Sequence, residues 1–302
     1  MRGWQVDLRG ENMVSLDDYF KIFANFYNRS YLIDFINKNE NKIVKTVGVA
    51  NDNIDILSLV KDYSYAQFFD FLYDLMKNNY RCEYVYLNEI FVNEILKNHD
   101  EGHSILTELC VNRSQADLVV VNGTTTVYEI KTELDSLTRL GKQLEDYIQV
   151  FDKVFVITYR DMLDKLIQLL DGNGKYLKVG IFVLNEEGKL NLIREGGSHK
   201  ECLNKELMFN ILHRREFEYF DTDYDLAKEN FLNLSIYDAH EYFKQCLVLR
   251  CKDYKYVSNL PISLKLAGFK IQNSLNRKQK EKFYTKLNRI VKEDFICTSH
   301  IL

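Results

Sequence analysis

The chain has 302 residues, 46% hydrophobic and 28% charged, with a formal net charge of −4. That length allows one large domain or two modest ones with a real hydrophobic core, and the balance is that of a soluble globular protein rather than a disordered one. The negative total removes any global attraction to a polyanion, so contact with nucleic acid needs a local basic patch. No apolar run reaches about 18 residues, and the opening MRGWQVDLRGEN lacks a signal-peptide core. The expectation is a cytoplasmic protein that does not enter a membrane. Six cysteines without a C-x-x-C pair argue for free thiols in a reducing compartment rather than zinc or iron–sulfur ligation. Pro261 is the only proline, so long helices can run uninterrupted.

In chain order, Ser15-Leu16-Asp17-Asp18 resembles a helix start, and Tyr19, Ile22, Phe23, Phe26, Tyr27, Tyr31 and Phe35 keep helical spacing. Further helices are expected over about Ser64–Lys77 and Cys82–Leu96. These aromatic stripes read as core. A mixed region follows: a strand over Ile105–Val111, two strands over 117–121 and 125–131 joined at Asn122-Gly123, and a helix after Asp135-Ser136 with an apolar stripe from Leu137 to Phe151. Then come a buried strand, Lys153–Thr158, a helix near 160–170, a strand over 177–184 and a short strand at Leu190–Ile193. This order predicts an α/β core with a central mixed sheet flanked by helices. The organisation expected is a helical N-terminal region (1–79), the α/β core (80–197) and a mainly helical C-terminal region (198–302). Residues 216–229 are acidic. Residues 265–292 are basic and read either as a solvated helical face or as a phosphate-binding patch.

The strands over 117–121 and 125–131 carry unusual cargo. Glu129 and Lys131 share one side of a strand while Ile130 takes the other, and a hairpin can bring Asp117 to the same end. Two carboxylates and an ammonium on apolar strands suit phosphodiester hydrolysis. A hard cation such as Mg²⁺ (or Mn²⁺) takes oxygen ligands, usually one or two carboxylates plus water and phosphate. Asp117 and Glu129 are the natural pair, with the Ile130 carbonyl and Glu108 as further ligands. Lys131 would orient or deprotonate the attacking water and offset developing charge.

This arrangement resembles the PD-(D/E)xK, or restriction-endonuclease-like, superfamily. The resemblance implies that Asp117 is the first acid, Glu129 the second and Lys131 the lysine; Ala116 stands where the name pattern has proline. Gln143 and Tyr147 look like the Q-x-x-x-Y element of RecB-like nucleases, four apart on one helical face. Arg81-Cys82-Glu83-Tyr84, Ala116-Asp117-Leu118 and the run from Glu129 to Tyr147 resemble a little-described bacterial and phage family in this superfamily. Glu83 thereby joins the metal-ligand candidates. The similarity covers residues 80–160 and implies a restriction-endonuclease-like core.

Glu-x-Lys alone says little, because Glu187-Gly188-Lys189 repeats it in a turn. The competing readings are structural. Glu129 and Lys131 can be a cross-strand ion pair, Asp117 a turn cap, Gln143 and Tyr147 ordinary helix surface and core, and Glu89 solvated surface. Arg139 either contacts phosphate or pairs with Asp135. The histidines read as structural or surface residues. The functional expectation is a Mg²⁺-dependent deoxyribonuclease acting on DNA, in phage defence, repair or a mobile element, compatible with a homodimer. The alternative is a catalytically silent nuclease-fold protein that binds nucleic acid or a protein partner in an immunity or regulatory role. A third reading makes the helical flanks an interaction module on an α/β scaffold.

Overall fold

In a computed structural model of the chain, residues 16–37, 60–96, 104–250 and 256–291 are described. The chain forms two compact units: one pairs residues 1–88 with 254–302, and the other spans 89–253.

The first unit is helical. It contains α1 (Leu16–Asn25), α2 (Arg29–Asn37), α3 (Tyr65–Asn79), most of α4 (Glu83–Ile90), α11 (Lys265–Ile271) and α12 (Arg277–Leu287). The first predicted helix breaks at Phe26–Asn28 into α1 and α2, and its Ser15 start lies outside the described residues. Ser64 caps α3 with a reciprocal capping box to Gln67. Edge-to-face rings fill the interior: Phe35 meets Tyr65, Phe69 and Phe283. Part of the basic segment is structural. Lys286 is buried and donates to Phe35 O (2.7 Å), while Lys265 donates to Val257 O and Ser258 O. Arg277, Lys278 and Lys282 are exposed, with Arg277 paired to Glu281. Lys292, at the end of the basic segment, lies outside the described residues.

The second unit is built on a six-stranded mixed sheet in the order β1 to β6. The strands are β1 (Ser104–Val111), β2 (Ser114–Asn122), β3 (Thr124–Ile130), β4 (Lys153–Thr158), β5 (Gly180–Leu184) and β6 (Leu190–Arg194). Strands β1 to β3 form an antiparallel meander, β3, β4 and β5 run parallel, and β6 returns antiparallel. All six lie close to their expected places. The β2–β3 turn is tighter than a two-residue loop, since Asn122 still pairs with Thr124 and only Gly123 takes a left-handed φ of 66°.

Alternation puts Val119 and Val121 of β2, Val127 of β3, Val154 and Val156 of β4, and Ile181 and Val183 of β5 in one core. Leu140, Leu144 and Tyr147 of α5 (Leu140–Tyr147) and Leu163, Leu166 and Leu170 of α6 (Leu163–Asp171) share that core. Four later helices complete the unit: α7 (Lys205–Ile211), α8 (Arg214–Phe217), α9 (Tyr224–Leu232) and α10 (Ile236–Leu249). Met208, Phe209, Phe231, Phe243 and Leu247 from these helices enter the same core. Residues 198–250 therefore fold with the sheet, their apolar faces packed into its core. On adjacent strands Tyr128 stacks on Phe155, and Phe182 packs against Phe155 at a tilt. The Phe155 ring lies where a Cβ on Gly180 would come within 2.2 Å, so only glycine fits at the start of β5.

Candidate functional site

The centre of the site is the lower end of β2 and the carboxyl end of β3. The β2–β3 ladder ends at Leu118 opposite Tyr128. Continuing that register sets Asp117 across from Glu129. Beyond it the strand bonds are replaced by side-chain bonds. The Ile130 N–H, which has lost its β2 carbonyl, donates to Asp117 Oδ2 at 2.7 Å. The Gln115 carbonyl accepts the Tyr147 hydroxyl at 2.8 Å. Asp117 is thus neither a turn cap nor a surface acid; it is a half-buried acceptor at the point where two strands part.

Glu129 is 1% exposed and Lys131 6% exposed, although β3 is an interior strand of an α/β sheet. Burial of charge at this depth demands partners. Glu129 Oε1 accepts Lys131 Nζ at 2.6 Å and Gln143 Nε2 at 2.5 Å, and Oε2 accepts the Tyr147 hydroxyl at 2.8 Å. Gln143 Oε1 in turn accepts Lys131 Nζ at 3.0 Å. The spacing of four between Gln143 and Tyr147 is what lets one helix grip both oxygens. Burial and the charge of Glu129 push the Tyr147 hydroxyl far above its ordinary range, so it stays a donor. The reading of Glu129 and Lys131 as a cross-strand pair does not describe this geometry: they sit two apart at one strand end, inside the sheet. The tripeptide at 187–189 makes the contrast. Its Glu187–Lys189 pair spans 2.8 Å with both side chains about 70% exposed.

Neighbouring bonds hold the frame. Lys131 N donates to Ile157 O and Thr158 Oγ1 donates to Lys131 O, tying the end of β3 to β4. Asp146, buried on α5 beside Tyr147, accepts Asn112 Nδ2 at 2.8 Å and Ser114 Oγ at 2.6 Å, fixing the β1–β2 turn to the helix. Asn112 takes a left-handed φ of 52° in that turn. Asp135 turns back to Thr132, accepting its N–H and hydroxyl, and makes no ion pair with Arg139 among the described residues. Ser136 does not cap the following helix, whose first turn is 3-10 over Leu137–Arg139.

The remaining candidates are placed differently. Glu108 lies across from Asp117, between the Thr107–Leu118 and Leu109–Ala116 pairs, but it is exposed and has a strained φ of 60°. Glu83 is exposed in the first turn of α4, in the other unit. Glu89, expected on the solvated surface, is 4% exposed and accepts Asn93 Nδ2 at 2.9 Å. The helix there widens into a π turn over Phe91–Ile95, which carries Asn93.

Two carboxylates with oxygen donors only, one half-buried and one engaged by an ammonium, fit a hard divalent cation that completes its shell with water and phosphate. Among the described residues no three of His, Cys, Asp and Glu gather as a ready-made metal cage. A second polar cluster lies at the other end of β3 and β4. Asp152 accepts Thr124 Oγ1 and Ser198 Oγ, and its N–H donates to Thr125 Oγ1, which is 3.0 Å from His240 Nε2. His199 and His240 are buried, and that burial pulls both below the ordinary imidazole range.

No helix of the described residues is long and apolar enough to cross a membrane. No curated protein and no solved structure matches the chain. A family model for bacteriophage P4 protein cII matches residues 76–256, about three fifths of the sequence and the whole of the sheet with its helices. By that match the chain belongs to the bacteriophage P4 protein cII family.

Proposed function

We propose that the chain is a divalent-metal-dependent nuclease hydrolysing DNA phosphodiester bonds, with a restriction-endonuclease-like core in residues 104–194. The observation that carries this reading is the convergence of Asp117, Glu129, Lys131, Gln143 and Tyr147 at the place where β2 and β3 part. Asp117 and Glu129, with the Ile130 carbonyl as a further ligand, would hold Mg²⁺ or Mn²⁺. When bound, the cation supplies relief of charge on the phosphate and an activated water. Lys131 would orient the attacking water, or in its neutral amine form take its proton, and as the ammonium would offset charge in the transition state. Gln143 and Tyr147 hold Glu129 so that its oxygens do not wander. Exposed Arg139 and the exposed cations Arg277, Lys278 and Lys282 are candidates for phosphate contacts. A role in phage defence, repair or a mobile element suits such an activity by analogy alone.

One observation favours a second reading, a silent nuclease-fold protein that binds nucleic acid or a protein. Both oxygens of Glu129 are already engaged by the chain's own donors. Incubation of the full chain with DNA and RNA in Mg²⁺, in Mn²⁺ and in EDTA separates the two. Cutting that requires the cation supports the nuclease; retention of nucleic acid with no cutting in either metal supports the binder.

A further inference from the structure

The cation that neutralises Glu129 in this structure belongs to the chain itself. Lys131 Nζ and Gln143 Nε2 fill the acceptor positions of Oε1, and the Lys131 side chain is only 7% exposed. Another cation cannot share Oε1 with the ammonium, because positive charges a few ångströms apart in a buried site repel strongly. Gln143 gives the ammonium a second hold: its Oε1 accepts Lys131 Nζ from the half-buried side of the site. The ammonium therefore keeps one hydrogen-bond partner, Gln143 Oε1, when it leaves Glu129, and a phosphate can then supply the opposite charge it has given up.

We propose that Lys131 locks the resting site: its ammonium stands in for the metal cation on Glu129, and it pivots on Gln143 to a nucleic-acid phosphate when Glu129 takes the cation. This rests on the nuclease reading above. It makes metal and polyanion mutually supporting, since each relieves the charge the other leaves behind, and the linkage is reciprocal. The chain alone then binds the cation weakly and keeps Glu129 closed.

Two measurements on the full chain test the lock. Calorimetry with Mn²⁺ gives the affinity of the parent, of Lys131→Met and of Asp117→Asn. Brief reductive methylation followed by mass spectrometry gives the reactivity of Lys131 Nζ with and without Mg²⁺. Lys131→Met is expected to bind Mn²⁺ about tenfold tighter than the parent. Mg²⁺ is expected to speed methylation of Lys131 about fivefold or more, and a phosphorothioate DNA oligonucleotide added with Mg²⁺ to slow it again. If Asp117→Asn loses a Mn²⁺ site that the parent has, while Lys131 methylation ignores Mg²⁺, the lock is overturned and the metal centre stands. If neither the parent nor Lys131→Met binds Mn²⁺, the lock falls together with the nuclease reading.

Discussion

Lys131 Nζ lies 2.6 Å from Glu129 Oε1, and both side chains are almost wholly removed from solvent. A buried pair of this kind adds little net stability, yet losing one partner strands the other charge, at about 3–5 kcal/mol. Lys131→Met and Glu129→Gln are each expected to lower urea stability by up to that amount, and the double variant to lose less than their sum. Additive losses in the double-mutant cycle would show that the two groups are not coupled.

Tyr147→Phe removes the donor to Glu129 Oε2 and Gln115 O while leaving the ring in its core position. The expected cost is about 1–3 kcal/mol, from leaving the buried Glu129 Oε2 short of a donor. An unchanged denaturation midpoint would mean that the hydroxyl contributes nothing to holding the carboxylate.

Asp146→Ala leaves Asn112 and Ser114 without their shared acceptor. We expect a loss of about 1–3 kcal/mol and faster amide exchange in the 112–116 turn than in β4. Uniform exchange across the sheet would contradict a role for Asp146 in pinning that turn.

Acid should destabilise the second unit. Burial holds His199 and His240 below their ordinary 6.5. Between the folded and unfolded values the unfolded chain binds more protons, so stability rises with pH. The histidine contribution is complete above about pH 6.5 and is lost as pH falls below it. Burial alone would raise Asp152, but hydrogen bonds from Ser198 and Thr124 and the charge of Lys200 hold it below 3.8, which adds a loss of the same sign at lower pH. The urea midpoint should fall from pH 7.5 to 5.5, and less so in His240→Gln. An equal or higher midpoint at pH 5.5 in the parent would refute this.

Much of this arrangement is legible in the sequence. The β-branched runs fixed strands β2 to β5, and the Gln143/Tyr147 spacing placed both residues on one helical face. What stayed hidden depends on long-range contact. Asp146 reads as surface between two apolar positions until Asn112 and Ser114, more than 30 residues earlier, are brought to it. Glu89 looked solvated because its burial depends on packing rather than on its neighbours in sequence. The helices after residue 198 looked separate because amphipathic stripes do not declare which core they fill. Asp152 and its histidines form a cluster from four distant segments, with no local motif to announce them.

The central claim is that Asp117 and Glu129 serve hydrolysis of DNA. Its most direct test is the rate of cleavage of plasmid and single-stranded DNA by the parent, Asp117→Asn and Glu129→Gln in Mg²⁺ or Mn²⁺, with circular dichroism confirming that each variant is folded. The account predicts cation-dependent cutting by the parent and a loss of about 10²-fold or more in each folded variant. Cutting by folded Asp117→Asn and Glu129→Gln at the parent's rate would contradict it.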